Sequence, residues 1–299
     1  MQLRMFGLRR EDLQWKRVPL SPDVFRSKNV AVIGGTNGIG RAFARALASK
    51  GAAVVVVGRT FRDAGVPGLR FVRADLAQVR EARRMAQQLA AETLDLLILT
   101  TGIMAGRKRL TNTEGIELDL AVSYLSRFVI VREIAARLGS SRGGPPKPRV
   151  FVLGFPGTNQ EGSLDDLNSE ARYSLMTAHA NTVIGNEALV VDCATRYPNA
   201  NFYGLNPGII KSGIITGVLG EGTVLFKLQQ FITGALLQSA DEYAAKILPL
   251  MVSPDIEDHS GAMFGRHGDA IHASRAVKEE GHLQRVVEES EKLVSKALG

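Results

Sequence analysis

Cysteine is nearly missing from this chain of 299 residues: Cys193 stands alone. A single cysteine excludes an intrachain disulfide and a thiolate metal cluster, and it fits a reducing cytoplasm. Long apolar runs are missing too. None approaches the roughly 18 residues of a spanning helix, so no membrane span is expected. The five histidines (His179, His259, His267, His272 and His282) include no H-E-x-x-H spacing. Three of them crowd with Asp258 and Asp269 into one polar stretch that reads as a loop, so no metal site is expected. The net charge is +7, but without a polybasic block, which leaves a nucleic-acid partner little support. There are no internal repeats.

What is present is enough apolar material, 45% of the residues, for one large α/β domain. Residues 1–28 are set apart by charge, with seven Lys and Arg against three acids. Transit peptides are poor in acids and rich in serine, so this extension reads instead as a surface flap packed by Trp15, Leu20 and Phe25. Residues 29–299 read as a single domain.

The organising stretch runs from Val30 to Arg41. An apolar run breaks into glycines at Gly34, Gly38 and Gly40, and a helical pattern follows through Phe43, Ala46 and Leu47 to Gly51. The next run, Ala53 to Val57, is too short for a helix and rich in β-branched residues, as a doubly covered parallel strand should be. A glycine turn inside a strand-helix-strand unit directs backbone amides and the positive end of a helix dipole at a pyrophosphate. The second strand ends at Gly58-Arg59-Thr60, where a cofactor lacking a 2′-phosphate would usually meet an acid. Arg59 offers a positive fork instead, which favours NADP(H) over NAD(H).

Further strands are expected at Leu69 to Val72, Asp95 to Leu99, Arg149 to Leu153, Ala200 to Leu205 and near Ala262 to Phe264. Long helices are expected from about Gly115 to Leu138 and from Tyr173 to Tyr197. Turns after the strands carry Asp75-Leu76, Thr101-Gly102 and Pro207-Gly208-Ile209-Ile210, and in an open parallel sheet these face one crevice. Residues 213–237 are strongly apolar and glycine-broken, and are expected to form a substrate lid rather than a dimer contact.

The order and spacing of these motifs resemble the short-chain dehydrogenase/reductase family over roughly residues 28 to 265. The likeness rests on Gly34-x-x-x-Gly38-Ile39-Gly40, Gly58-Arg59, Asp75-Leu76, Thr101-Gly102-Ile103, Thr113 to Glu117, Ala180-Asn181 and Pro207 to Ser212. It implies a doubly wound, Rossmann-like parallel sheet of about seven strands with helices on both faces. It also implies a cofactor site: Gly34, Thr36, Asn37, Gly38, Ile39 and Gly40 around the phosphates, and Arg59 with Thr60 at the 2′-phosphate. Asp75 and Leu76 would lie by the adenine, Thr101 and Gly102 by the ribose, and Pro207, Gly208, Ile209 and Ile210 near the nicotinamide. A homo-oligomer, dimer or tetramer, built on the two long helices is a further implication.

The family's usual Asn, Ser, Tyr and Lys do not carry over. Their positions fall on Ser123, on Phe155 or Gly154, on Ser174 and on Ala178. Tyr173 keeps part of the spacing, but a one-residue slip turns a helical side chain by about 100°. Ser123, Tyr124, Ser174 and His179 remain as catalytic candidates. The expected activity is an atypical NADP(H)-dependent reduction of a carbonyl or conjugated enone in a small or medium apolar substrate. The alternatives are a fold turned to a non-redox step, cyclisation or isomerisation, and a non-enzymatic NADPH-binding regulator.

Overall fold

The computed structural model describes residues 7–17, 19–210, 238–279 and 281–299. Eight strands form one sheet: β1 (Asn29–Ile33), β2 (Ala53–Gly58), β3 (Leu69–Arg73), β4 (Leu96–Leu99), β5 (Arg149–Leu153), β6 (Asn201–Leu205), β7 (Met263–Phe264) and β8 (Ala270–Ile271). Their order is β3-β2-β1-β4-β5-β6-β7-β8. The first seven run parallel and β8 closes the edge antiparallel to β7. β8 was not foreseen because two residues are too short to show a periodicity.

Successive strand residues point to opposite faces, so the apolar runs feed two cores. Val30 and Val32 join one, with Phe43, Leu47 and Tyr243. Ala31 and Ile33 join the other, with Tyr124, Phe128 and Leu189. Helices α1 (Gly38–Ser49) and α5 (Ala240–Val252) supply the first face. Helices α2 (Val79–Gln87), α3 (ending in Ser126–Ile134), α4 (Leu175–Arg196) and α6 (His282–Leu298) supply the second.

α3 begins later than its hydrophobic pattern suggests. Thr111 and Glu117 pair as a small hairpin around Gly115, whose φ of +78° a side chain would resist. The helix then opens at Leu118–Leu120, widens into a π-helical turn at Ala121–Leu125 and returns to α geometry. Such π turns often sit at functional sites.

The described part of the N-terminal extension is tied into the sheet. The Arg10 amide donates to Ala270 O at 2.8 Å, and the His272 amide to Leu8 O at 2.8 Å, which covers the outer edge of β8. Trp15 donates its indole N–H to Gly268 O at 2.6 Å, and Phe25 is fully buried. Among the described residues no helix is long and apolar enough to cross a membrane. The expected lid at 213–237 lies outside the described residues.

Candidate active site

The chain direction across the sheet reverses between β1 and β4, and their registers bring Ile33 level with both Val57 and Leu99. The turns after β1, β2 and β4 therefore open on one crevice, at the place where such sheets bind ligands.

The glycines in the first turn each have a local reason. Gly34 has φ +84°, and a Cβ there would stand 2.7 Å from the Thr101 amide nitrogen. A Cβ on Gly40 would overlap Thr100 Oγ1 and lie 2.5 Å from the Gly34 carbonyl oxygen. Gly38 is different: its φ is +50°, and nothing lies within 4 Å of the space a side chain would take. Asn37, which precedes α1, makes no side-chain cap, and the first turn carries no acid. A helix of twelve residues thus presents uncapped amides to open space, the arrangement an anionic pyrophosphate requires. The residues present fit a dinucleotide.

Beyond β2 the arginines divide. Asp63, 4% exposed, accepts from Arg41 Nε and Nη2 at 2.8 and 2.7 Å and from Arg45 Nη1 at 2.9 Å. Its carboxyl is held below the usual range, first by the Arg41 hydrogen bonds. Arg59 and Thr60 are exposed, and no ion pair engages Arg59 among the described residues. Thr36 packs against Gly58, where a Cβ would lie 2.6 Å from the threonine methyl. Further round the crevice, Asp75 Oδ1 accepts from the Ala77 amide at 3.2 Å and Leu76 is buried in the core. Gly208, with φ +66°, donates its amide to Asn206 Oδ1 at 3.0 Å, and Asn206 donates to Pro156 O. Ile210 is buried and bridges to Gln238, while Ile39 packs against the α1 core.

The other side of the crevice is built by side chains from α3 and α4. Asp119, Ser123 and Arg127 recur at four-residue spacing along α3, and His179, Thr182 and Asn186 at spacings of three and four along α4, so each set forms a stripe on one helix face. The two stripes meet. His179 Nδ1 lies 3.0 Å from Asp119 Oδ2. Asn186 Nδ2 donates to Ser123 O at 2.8 Å, and Arg127 Nη1 donates to Asn186 Oδ1 at 2.9 Å. The seam is dry: Asp119, Ser123, Arg127 and Asn186 are all buried.

Arg127 braces the strand ends from inside, donating to the carbonyl oxygens of Thr101 and Leu153 and, at 3.2 Å, to Thr101 Oγ1. Burial pulls its guanidinium down to about 9, partly opposed by the Asp119 charge. Thr101 is thereby turned inward, while Gly102 remains half-exposed beside Ser123. Ser123 donates to Asp119 Oδ1 at 2.5 Å and accepts from the Ile103 amide at 3.0 Å, which ties the turn after β4 to the seam.

The four catalytic candidates separate clearly. Ser123 and His179 lie in the seam. Tyr124 does not: it is fully buried against Gly185, its hydroxyl pairs with Ser290 of α6 at 2.7 Å, and burial raises its pKa. Ser174 caps α4, accepting from the Thr177 amide and donating to Thr177 Oγ1, and is spent on helix initiation. Tyr173 donates to Gly106 O at 2.6 Å. Its pKa is raised, first by burial and then by the charges of Glu117 and Asp119, the reverse of what an acid-base tyrosine needs. Asp119, Arg127 and Asn186 escaped the sequence reading; the four-residue polar stripe on an otherwise apolar helix is the signal that marks them. Among the described residues no His, Cys, Asp and Glu group is placed to hold a metal.

Known proteins agree with this architecture. The short chain dehydrogenase family profile matches residues 28–145. An uncharacterized oxidoreductase of Saccharomyces cerevisiae is 45% identical over 98% of this chain and 96% of its own length. A candidate daunorubicin C-13 ketoreductase of a Streptomyces species is 29% identical over 79% of this chain and 82% of its own. Among solved structures, a candidate short chain dehydrogenase from Escherichia coli CFT073 complexed with NADPH superposes with a TM-score of 0.60 at 16% identity, covering 83% of this chain and 99% of that one. The cradle, the sheet order and these likenesses together place the chain in the short-chain dehydrogenase/reductase family, as an NAD(P)-dependent oxidoreductase.

Proposed function

We propose that the protein is an NADP(H)-dependent reductase acting on a carbonyl or conjugated enone of a small or medium apolar substrate. The observation that carries the cofactor preference is Arg59, exposed at the carboxyl end of β2 without an ion pair among the described residues, while its neighbours Arg41 and Arg45 are both committed to Asp63. A free guanidinium at that position suits a 2′-phosphate and has no counterpart to meet in NAD(H). The Streptomyces relative, a candidate ketoreductase, supports a carbonyl substrate.

When bound, the dinucleotide supplies a hydride to the substrate carbon. The chain's own residues do the rest. The uncapped amides of α1 and Gly34 to Gly40 would hold the pyrophosphate, with Asp75 and Leu76 toward the adenine and Pro207 to Ile210 toward the nicotinamide.

Self-association is proposed away from the face between α3 and α4. There α6 is already packed, through Tyr124 to Ser290 and Arg132 to Glu291. The buried Cys193 suits a cytoplasmic location.

Fluorescence titration with NADPH and NADH tests the reading. Tighter binding of NADPH supports it, equal binding removes the role of Arg59, and failure to bind either ends the reductase assignment.

A further inference from the structure

The seam between α3 and α4 ends in a histidine with one nitrogen fixed and the other unengaged. His179 Nδ1 faces Asp119 Oδ2 at 3.0 Å, a hydrogen bond in which the carboxylate accepts when the ring's proton sits on Nδ1. Nε2 has no hydrogen-bond partner among the described residues, and the side chain is 16% exposed. The ring sits against Phe155, with centroids 6.3 Å apart. Phe155 belongs to the turn after β5, and Ser123 ties Asp119 to the turn after β4. His179 therefore lies between the turn after β5 and the turn after β4, the second of which opens on the crevice.

Asp119 is built to hold that ring. It is 1% exposed, and both oxygens are occupied, Oδ1 by the Ser123 hydroxyl and Oδ2 by the imidazole. Arg127 and Asn186 lock the same two helices one and two turns deeper, so the distance between Asp119 and His179 does not depend on a loop. Among the described candidates, the Tyr173 hydroxyl is given to Gly106 O, and Ser174 caps α4.

Resting on the reductase reading above, we propose that His179 is the proton donor at the reacting carbonyl oxygen, with Asp119 as its positioning residue. In reduction, the carbonyl carbon gains a hydride and the carbonyl π pair passes to oxygen. The imidazolium of His179 releases its Nε2 proton to that oxygen, giving the alcohol and a neutral ring that solvent reprotonates. Asp119 keeps the proton on Nδ1 throughout and stabilises the charged ring, the orienting role a buried carboxylate plays beside a catalytic histidine. In oxidation the same Nε2 accepts the proton.

Two readouts test this, and only one needs turnover. In long-range ¹H–¹⁵N spectra of the full chain, neutral His179 should show its proton on Nδ1 and a bare Nε2, and Asp119→Asn should disturb that preference. A neutral wild-type ring with its proton on Nε2 and a bare Nδ1 overturns the assignment. With NADPH and an aromatic aldehyde, His179→Gln should lower kcat by about 10² to 10⁴-fold, with the NADPH dissociation constant within about threefold of wild type and imidazole restoring part of the rate to His179→Gly. Asp119→Asn, a near-isosteric second variant, should lower kcat more than it raises KM. A His179→Gln enzyme that keeps kcat within about threefold makes the pair a structural contact and leaves the reductase reading standing. A wild type that binds no NADPH, or reduces no carbonyl, takes the reading and the proposal down together.

Discussion

The two walls of the crevice are made of different material. The wall after β1 is backbone: a continuous run from Gly34 to Gly40 whose function lies in missing side chains and uncapped amides. The wall opposite is side chain: Asp119 and His179 stand sixty residues apart in sequence and meet only because α3 and α4 pack together. A backbone site is specified locally and tolerates little. A side-chain site is specified by packing and can be rebuilt from other residues.

That contrast can be broken at either wall. The largest effect is expected on the side-chain wall, where His179→Gln lowers kcat by orders of magnitude while Tyr173→Phe, steady-state kinetics alongside, changes it less than about threefold. A comparable loss in Tyr173→Phe would return the proton to the tyrosine. On the backbone wall, Gly40→Val drives a side chain into Thr100 and the Gly34 carbonyl. It should cost about 1–3 kcal/mol in urea unfolding and abolish saturable NADPH binding; a variant that binds like wild type would mean the turn is not the cradle.

Smaller effects sharpen the picture. Arg59→Ala should weaken NADPH by about tenfold or more, roughly 1.4 kcal/mol, and leave NADH unchanged in calorimetric titration. Equal weakening of both would assign Arg59 to structure.

Behind the seam, Glu187 Oε1 accepts from the Ser274 and Gly157 amides while Oε2 is unpartnered among the described residues, and burial raises its pKa. A carboxyl whose folded pKa lies above its unfolded value stabilises most at low pH, and that contribution is lost as pH rises through the folded value. Glu187→Gln removes the buried charge. Its Tm should therefore match wild type near pH 4.5 and exceed it by a few degrees at pH 8. A gap that shrinks with rising pH would contradict the sign.

The difference between the walls also explains what sequence reading could reach. The sheet and the cradle were legible because their signals are local: Val30 to Ile33 alternates into two cores, and each glycine turn follows an apolar strand. The family motifs matched for the same reason, and the parallel sheet they imply is present. β8 was illegible because its two residues draw their pairing from β7 and the N-terminal segment. Family position led to Ser123, which lies in the seam, and to Ser174, which the structure spends on a helix cap, while Tyr124, beside Ser123 in sequence, faces α6. Asp119 escaped because a lone acid on a helix looks solvated until its partner on another helix is known. The repeat of Asp119, Ser123 and Arg127 every four residues, on a helix rich in Leu, Ile, Val and Phe, was the available clue: polar residues aligned on a buried face must be answered from across the interface.

One measurement bears on the central claim, that this crevice holds NADP(H) and passes its hydride to a carbonyl carbon. NADPH deuterated at the transferring position of the nicotinamide is mixed with the enzyme and a panel of aromatic aldehydes and ketones, and the alcohols are analysed by mass spectrometry and NMR. One deuterium on the carbinol carbon of a product is the predicted result. Tight NADPH binding with no label in any product would contradict it.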